Sequence, residues 1–389
     1  MEWLVLSLLV AAVAGVALLP GPGAAPMAGD ANSWHAVDGI RGSSNDPINV
    51  TGNEELGAVA TSGNGTLENP YVIENLVIVA GEHGPAILIQ DTDAHLIIRN
   101  CTLSGTRGIQ LSSCTNVHVT GNDLSHGGVG YYSWNSSNNT VSGNIVSNNR
   151  WDGILLRASS NITVSGNDVT DNGSDGIHLI ELSNSTVSGN TVSGHVQTGI
   201  LMTDCQHMVV SGNTATGNDR HGISVSGSGN TVSGNTAAGN GIDGISVSGS
   251  GNTVSGNTAT GNDSVGISMS GSGNTVSGNT ATSNDWHGIR LWRVNNSKIS
   301  GNTASNNGEY GIWMWSSSNN TVSGNILHYN SRGCIRDDGT GNVLIDNDCV
   351  SPPPISGYVP WLLAVAMIVA VAGIVPAGRW VRKGNSPRA

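Results

Sequence analysis

The sequence has no phenylalanine, and aromatic residues make up only 4% of its 389 residues. Any interior must therefore be built from small aliphatic groups. Charged residues are scarce too, at 11%. Basic residues are the scarcer sign: 15 Lys and Arg stand against 27 Asp and Glu, a net charge of −12. Nucleic acid is not expected as a partner, because binding it takes a basic footprint. No Cys-x-x-Cys occurs among Cys101, Cys114, Cys205, Cys334 and Cys349, so the chain has no zinc or redox motif of that kind. Cys334 is expected to face the core as a small hydrophobe. A terminal Cys334–Cys349 disulfide is open to it in an oxidising compartment, which would leave an odd cysteine. Helical periodicity is missing from the repeats, which excludes leucine-rich and βαβ architectures.

Glycine is abundant instead, with 55 residues. Such a load can mark a disordered linker, but a linker keeps no register, and this chain does. Gly-Asn recurs with its asparagine at Asn122, Asn144, Asn167, Asn190, Asn213, Asn235, Asn257, Asn279, Asn302 and Asn325. Gly-Ile recurs from Gly108 to Gly311 in the same steps of 22 or 23 residues, with Gly130 and Gly333 continuing the column before Tyr131 and Cys334. A fixed short period means one supersecondary unit stacked many times. Within 244–262, Ile245 and Val247 alternate with serines, Ser248-Gly-Ser-Gly251 is turn chemistry, and Thr253-Val254-Ser255 and Thr258-Ala259-Thr260 make two more short strands. Three strands and three turns per repeat give a triangular coil. With about four aliphatic groups, one coil cannot offset the entropy of ordering its backbone, so coils must stack about 4.8 Å apart. The expectation is an all-β, single-stranded parallel β-helix of about 11–12 coils. Further asparagine columns, such as Asn149, Asn172, Asn218 and Asn240, are expected to form hydrogen-bonded ladders along the rod. His195 stands in for asparagine in one of them.

The ends read differently. Residues 1–28 resemble a secretory signal, possible also as an uncleaved anchor, with an apolar run from Leu4 to Leu19 but no Lys or Arg before it. A cap and entry segment is expected over 29–75, the β-helix over 76–350, a Pro-rich stalk over 351–357, a transmembrane helix over 358–378 and a basic cytoplasmic tail over 379–389. The domain would then face outward from a cell membrane on a single-pass anchor. Sequons including Asn49, Asn64, Asn135, Asn161, Asn184 and Asn319 make glycosylation an expectation for an exported chain.

Repeats such as GISVSGSGNTVSGNTAAGN resemble the right-handed parallel β-helix family, and most closely its NosD-like branch of carbohydrate-binding and sugar-hydrolysis repeats. Gly65-Thr-Leu-Glu-Asn-Pro-Tyr-Val-Ile-Glu-Asn75 resembles the entry to such helices in archaeal envelope proteins. The resemblance implies a polysaccharide-directed role: binding or organising envelope glycan, adhesion included, or lyase, hydrolase or epimerase chemistry. As a lower-ranked alternative it implies a NosD-like accessory role to a copper enzyme, and a surface-layer scaffold fits the repetition as well. Whether the chain is an enzyme is left open, since fold alone does not choose.

The resemblance places ligands on the outer face of one sheet, here the positions two and four after each Gly-Ile glycine. Ser224, Ser226, Ser246, Ser248, Ser268 and Ser270 make a plain serine face in the middle. Late coils bring Arg290, Trp292, Trp313 and Trp315 outward with Arg293, and the adjoining turns add Trp286, His287, Glu309 and Tyr310. Aromatic planes with cations suit sugar rings. Early coils bring Tyr132, Trp134, Arg157 and His178 outward, with Asp152 and Asp175 just before their glycines. Trp134 and Arg157 are candidates for a cation–π pair. Asp152 and Asp175, one rung apart, either share a proton or hold a cation such as Ca2+. With Arg157 and His178 they are the catalytic candidates. No cofactor is otherwise expected. His178, His195, His207, Met208 and His221 lie in consecutive coils but lack a copper-ligand spacing.

Overall fold

The computed structural model describes residues 46–352. The expected signal, span and tail segments, 1–28, 358–378 and 379–389, lie outside those residues, as does most of the stalk. Among the described residues no helix is long and apolar enough to cross a membrane.

The described chain is an all-β parallel β-helix with three faces. The first and second sheets each hold 13 strands, and the third continues as a 10-stranded ladder. Thirteen strands make twelve steps, in line with the repeat count. The coil read above runs as Ile245–Ser248 in the first sheet, Thr253–Ser255 in the second and Thr258–Thr260 in the third. Pairing is in register, so like stacks on like: Ile154 pairs with Ile177, Ile177 with Ile200, and Ile223 with Ile245. These isoleucines, with Val232, Val254, Ala237 and Ala259 from the other faces, are fully buried. The ladder starts inside the segment read as a cap. Ile48–Thr51 already pairs with Ile87–Gln90, and the helix Asn53–Val59 brings Leu56 fully into the core.

At the bends the asparagines point inward and are buried. Asn257 shows why. Its Oδ1 accepts from both the backbone N–H and the Nδ2 of Asn235, each at 2.9 Å. Its Nδ2 donates to Val232 O and to Asn279 Oδ1, each at 2.9 Å. Every hydrogen-bonding position of the amide is filled, as a buried polar group requires. His195 reproduces the pattern with a ring: Nδ1 accepts from Asn172 N–H at 3.1 Å and Nε2 faces Val169 O at 3.1 Å. Burial holds its pKa below the ordinary value, keeping it neutral for this role. It is a ladder member. The Gly-Ile glycines are fixed by close approach: a Cβ on Gly244 would stand 2.6 Å from Asn262 Nδ2 and 2.8 Å from Gly266 O.

The last coil departs from the repeat. Ile312 pairs with Ile335, which sets Cys334 opposite Gly311 and Gly333 opposite Tyr310. Gly333 is thus one residue off the column in which the sequence placed it. Cys334 is buried and bonded to Cys349, tying the first-sheet strand Gly333–Thr340 to the third-sheet strand Asp348–Val350. Cys101, Cys114 and Cys205 are free and buried.

Asn257→Ala strands two buried donors and one carbonyl, and is expected to destabilise the rod by about 2–4 kcal/mol in thermal or denaturant unfolding. A loss below about 0.5 kcal/mol would mean that the amide ladder is incidental. Reducing Cys334–Cys349 should remove about 3 kcal/mol from the last coil, read as earlier local exchange of amides in 333–350 with the middle coils unchanged.

Candidate functional site

The outward face of the first sheet carries the side chains that differ most from coil to coil. In its middle, Ser224, Ser226, Ser246, Ser248 and Ser270 are half-buried and Ser268 is buried, a low shelf of hydroxyls. The register then sets Trp292 beside Ser270 and Trp315 beside Trp292, and Arg290 beside Ser268 and Trp313 beside Arg290. The Trp292 and Trp315 rings stack at 5.6 Å and 28°, and Trp313 and Trp315 at 6.0 Å and 18°. Trp292 and Trp315 remain 42% and 44% exposed, and Trp286 52%. Arg293, exposed, lies over the Trp292 ring at 5.8 Å.

Two members of this set are not free to meet a ligand. Arg290 turns back along the rod, donating through Nε and Nη2 to Ser268 Oγ at 3.2 and 3.0 Å and through Nη2 to Asp243 Oδ2 at 3.3 Å. His287 is 2% exposed, with its ring 4.7 Å from Trp313 and 5.9 Å from Tyr310. Its Nδ1 accepts from Tyr310 N–H at 3.3 Å and its Nε2 faces Glu309 Oε2 at 3.5 Å. Burial, then Arg290, Arg332 and Arg336, hold its pKa down at about 4, so it is neutral at neutral pH. Both residues support the platform from below, where the sequence had them in it.

Four residues of the site escaped the sequence reading. Arg336 lies over Tyr310 and Trp313 at 5.9 and 5.7 Å. Asp338 Oδ2 accepts from Trp313 Nε1 at 2.9 Å and pairs with Arg336 Nε at 2.7 Å. Arg332 Nη1 pairs with Glu309 Oε1 at 3.1 Å. The one-residue shift at Cys334 hid all three, since the expected column pointed elsewhere. Asp243, 2% exposed, was findable: it precedes Gly244 as Asp152 and Asp175 precede theirs.

In the early coils Asp152, Asp175 and His178 come together, with one donor atom from each within 4.8 Å of the others. Burial favours the neutral form of Asp152, but contacts with His178, Ser174 and the Asp175 N–H outweigh it and lower the pKa. For Asp175 burial wins and the pKa is raised, with the Asp152 charge adding to it. Two carboxyls pushed apart beside an imidazole can move a proton or hold a cation. Arg157 is exposed on the same face and makes no ion pair with them; it pairs in register with Trp134 and Ile180. The expected Trp134–Arg157 cation–π contact does not form among the described residues. Arg107 instead lies over Tyr132 at 4.5 Å, while Trp134 is 48% exposed. The copper-type side chains do not converge: His195 and Met208 are inside the rod, and no group with His207 or His221 is found among the described residues.

No curated protein matches this chain. Among solved structures it is similar to the A-module of Azotobacter vinelandii mannuronan C-5 epimerase AlgE4, with a TM-score of 0.53 and 16% identity over 78% of this chain and 96% of that one. It is also similar to the AlgE6 A-module of the same organism, at 0.46 and 14% over 73% and 89%. A third likeness is to a hyperthermoactive exopolygalacturonase from Thermotoga maritima, at 0.45 and 10% over 78% and 94%. At such identities the likeness is one of fold. The family model described as right handed beta helix region matches residues 85–237 and 221–359. Stacked coils, in-register sheets and this match agree: the chain belongs to the right-handed β-helix family.

Proposed function

We propose that this protein binds an extended polysaccharide along the outward face of its first sheet, at a cell surface. The observation that carries the reading is the Trp292–Trp315 stack, half-exposed, at the end of a serine shelf. The shelf lets a chain of sugars lie flat and offers hydroxyls that both donate and accept. The tryptophans supply apolar planes, and Arg293 and the Arg336–Asp338 pair supply polar edges. The fold neighbour at a TM-score of 0.53 is named for a polysaccharide, mannuronan, which supports this class of ligand. A cell-surface setting, with the 358–378 segment as membrane anchor, is part of the proposal. It is supported by the Cys334–Cys349 disulfide, a bond that persists in oxidising compartments.

Binding is tested by screening the full chain against a glycan array that includes uronic-acid polymers, followed by titration calorimetry. Trp292→Ala and Trp315→Ala should each weaken the selected glycan tenfold or more, about 1.4 kcal/mol. Thr253→Ser, on the second sheet, should not. Equal affinity in all four proteins would sink the platform. Product formation, read as unsaturated-sugar absorbance, new reducing ends or altered uronate composition, would instead make the protein a lyase, a hydrolase or an epimerase respectively.

Acid should weaken the platform. The buried His287 titrates at about 4, whereas a free histidine titrates near 6.5. Between those values the unfolded chain binds the proton and the folded one does not, so stability falls as pH falls. The full effect is of the order of 3 kcal/mol. A melting series from pH 7 to 4 should fall more steeply for the native protein than for His287→Gln, which keeps an acceptor for Tyr310 N–H without the titration. Parallel curves would contradict the assignment.

A further inference from the structure

Asp152 and Asp175 sit on consecutive coils, each just before its column glycine. The next coil fixes one oxygen of each. Asp175 N–H donates to Asp152 Oδ1 at 3.0 Å, and Thr198 N–H donates to Asp175 Oδ1 at 2.8 Å. That leaves both Oδ2 atoms turned toward His178 Nδ1, which stands 3.5 Å from the first and 3.7 Å from the second. Charge-assisted N–H to O bonds run about 2.7–2.9 Å, so neither contact is one. The Asp175 side chain is only 9% exposed, and its Oδ2 accepts no hydrogen bond among the described residues. The two distances to His178 Nδ1 come close to those of another arrangement. Ligands about 2.1 Å from one tetrahedral ion stand about 3.4 Å from one another.

We propose that Asp152, Asp175 and His178 are three protein ligands of a divalent metal site, with the remaining coordination positions open on the outward face of the first sheet. The donor set narrows the ion. Calcium and magnesium take oxygen ligands, whereas carboxylates joined by an imidazole suit Zn2+ or Mn2+. No thiol or thioether joins the group, so Cu(I) has no soft ligand here. The His178 side chain is 20% exposed, which leaves the ion reachable from solvent. Arg220 is the nearby positive charge acting on Asp175, and its guanidinium is held by Gln197 Oε1 at 3.2 Å. The site is separate from the tryptophans: five coil-to-coil steps separate the Gly176 and Gly288 rungs, roughly 24 Å at the ladder spacing. It does not depend on the glycan reading.

The full chain, stripped with chelator and desalted, is titrated with ZnCl2, with MnCl2 and with CaCl2 by calorimetry, and bound metal is counted by mass spectrometry. One ion per chain is expected. Asp175→Asn keeps the oxygen that accepts from Thr198 and should fold, yet bind the ion at least tenfold more weakly. His178→Gln should do the same. His221→Gln, an outward histidine outside the group, should bind as the native protein does. Circular dichroism on every variant separates ligand loss from unfolding. Equal uptake by native protein and Asp175→Asn, no uptake by any, or uptake of Ca2+ in preference to both ions would each overturn the proposal.

Discussion

A buried amide needs hydrogen-bonding partners on the coils above and below it. Asn257 can stay inside the rod because Asn235 and Asn279 complete its hydrogen bonds. The same need holds at each rung, so the ladder sets a register that a one-residue slip would break everywhere at once. Small glycines are the other half of this constraint. With Asn262 Nδ2 and Gly266 O where a Cβ of Gly244 would be, the bend closes only on glycine. Register, sheet order and the thin aliphatic core all follow from these contacts. So does the ability of His195 to take an asparagine's place, since its two ring nitrogens offer one acceptor and one donor in the same directions.

Because the inside is fixed, variation collects outside. Apart from Tyr131 and Ser133 in one early coil and Asp337 in the last, inward positions of the first sheet stay isoleucine, valine, leucine or methionine, while the outward ones run from Asp and His through serine to tryptophan. A strand's outward side chain lies about 4.8 Å from its counterpart on the next coil, so chemistry is assembled by stacking. Trp292 and Trp315 meet for this reason, as do Asp152 and Asp175.

Period and register were legible in the sequence, and with them the pairwise neighbours on a column up to the last coil. The stacked carboxylates and the tryptophan stack are that kind of fact. What was not legible is what long side chains do once placed. Arg290 was read beside Trp313, and it is, but its guanidinium reaches two coils back to Asp243, where burial makes an unpaired carboxylate costly. His287 was read as a turn residue open to a ligand, yet Trp313 and Tyr310 cover it. Arg157 is on the right face but two residues further along its strand than the level of His178, too far to close the group. Arg336 and Asp338 were missed because the terminal coil, pulled to a disulfide, gives up the glycine column.

The electrostatics of the outward face also run in one direction. Early coils present two carboxyls and an imidazole with Arg157 held away from them. Late coils gather arginines, most of them committed: Arg290 to Asp243, Arg332 to Glu309, Arg336 to Asp338. Arg293 alone of that group has no carboxylate within ion-pair distance among the described residues, and it lies over Trp292. The serine shelf between contributes no charge. The chain's net charge of −12 would repel an anionic polymer at long range, but screening confines that field to about 10 Å, and contact is decided locally. At the tryptophan end the local sign is set by a free guanidinium. At the other it is set by carboxyls that favour a cation. The two ends of the outward face therefore present different chemistry.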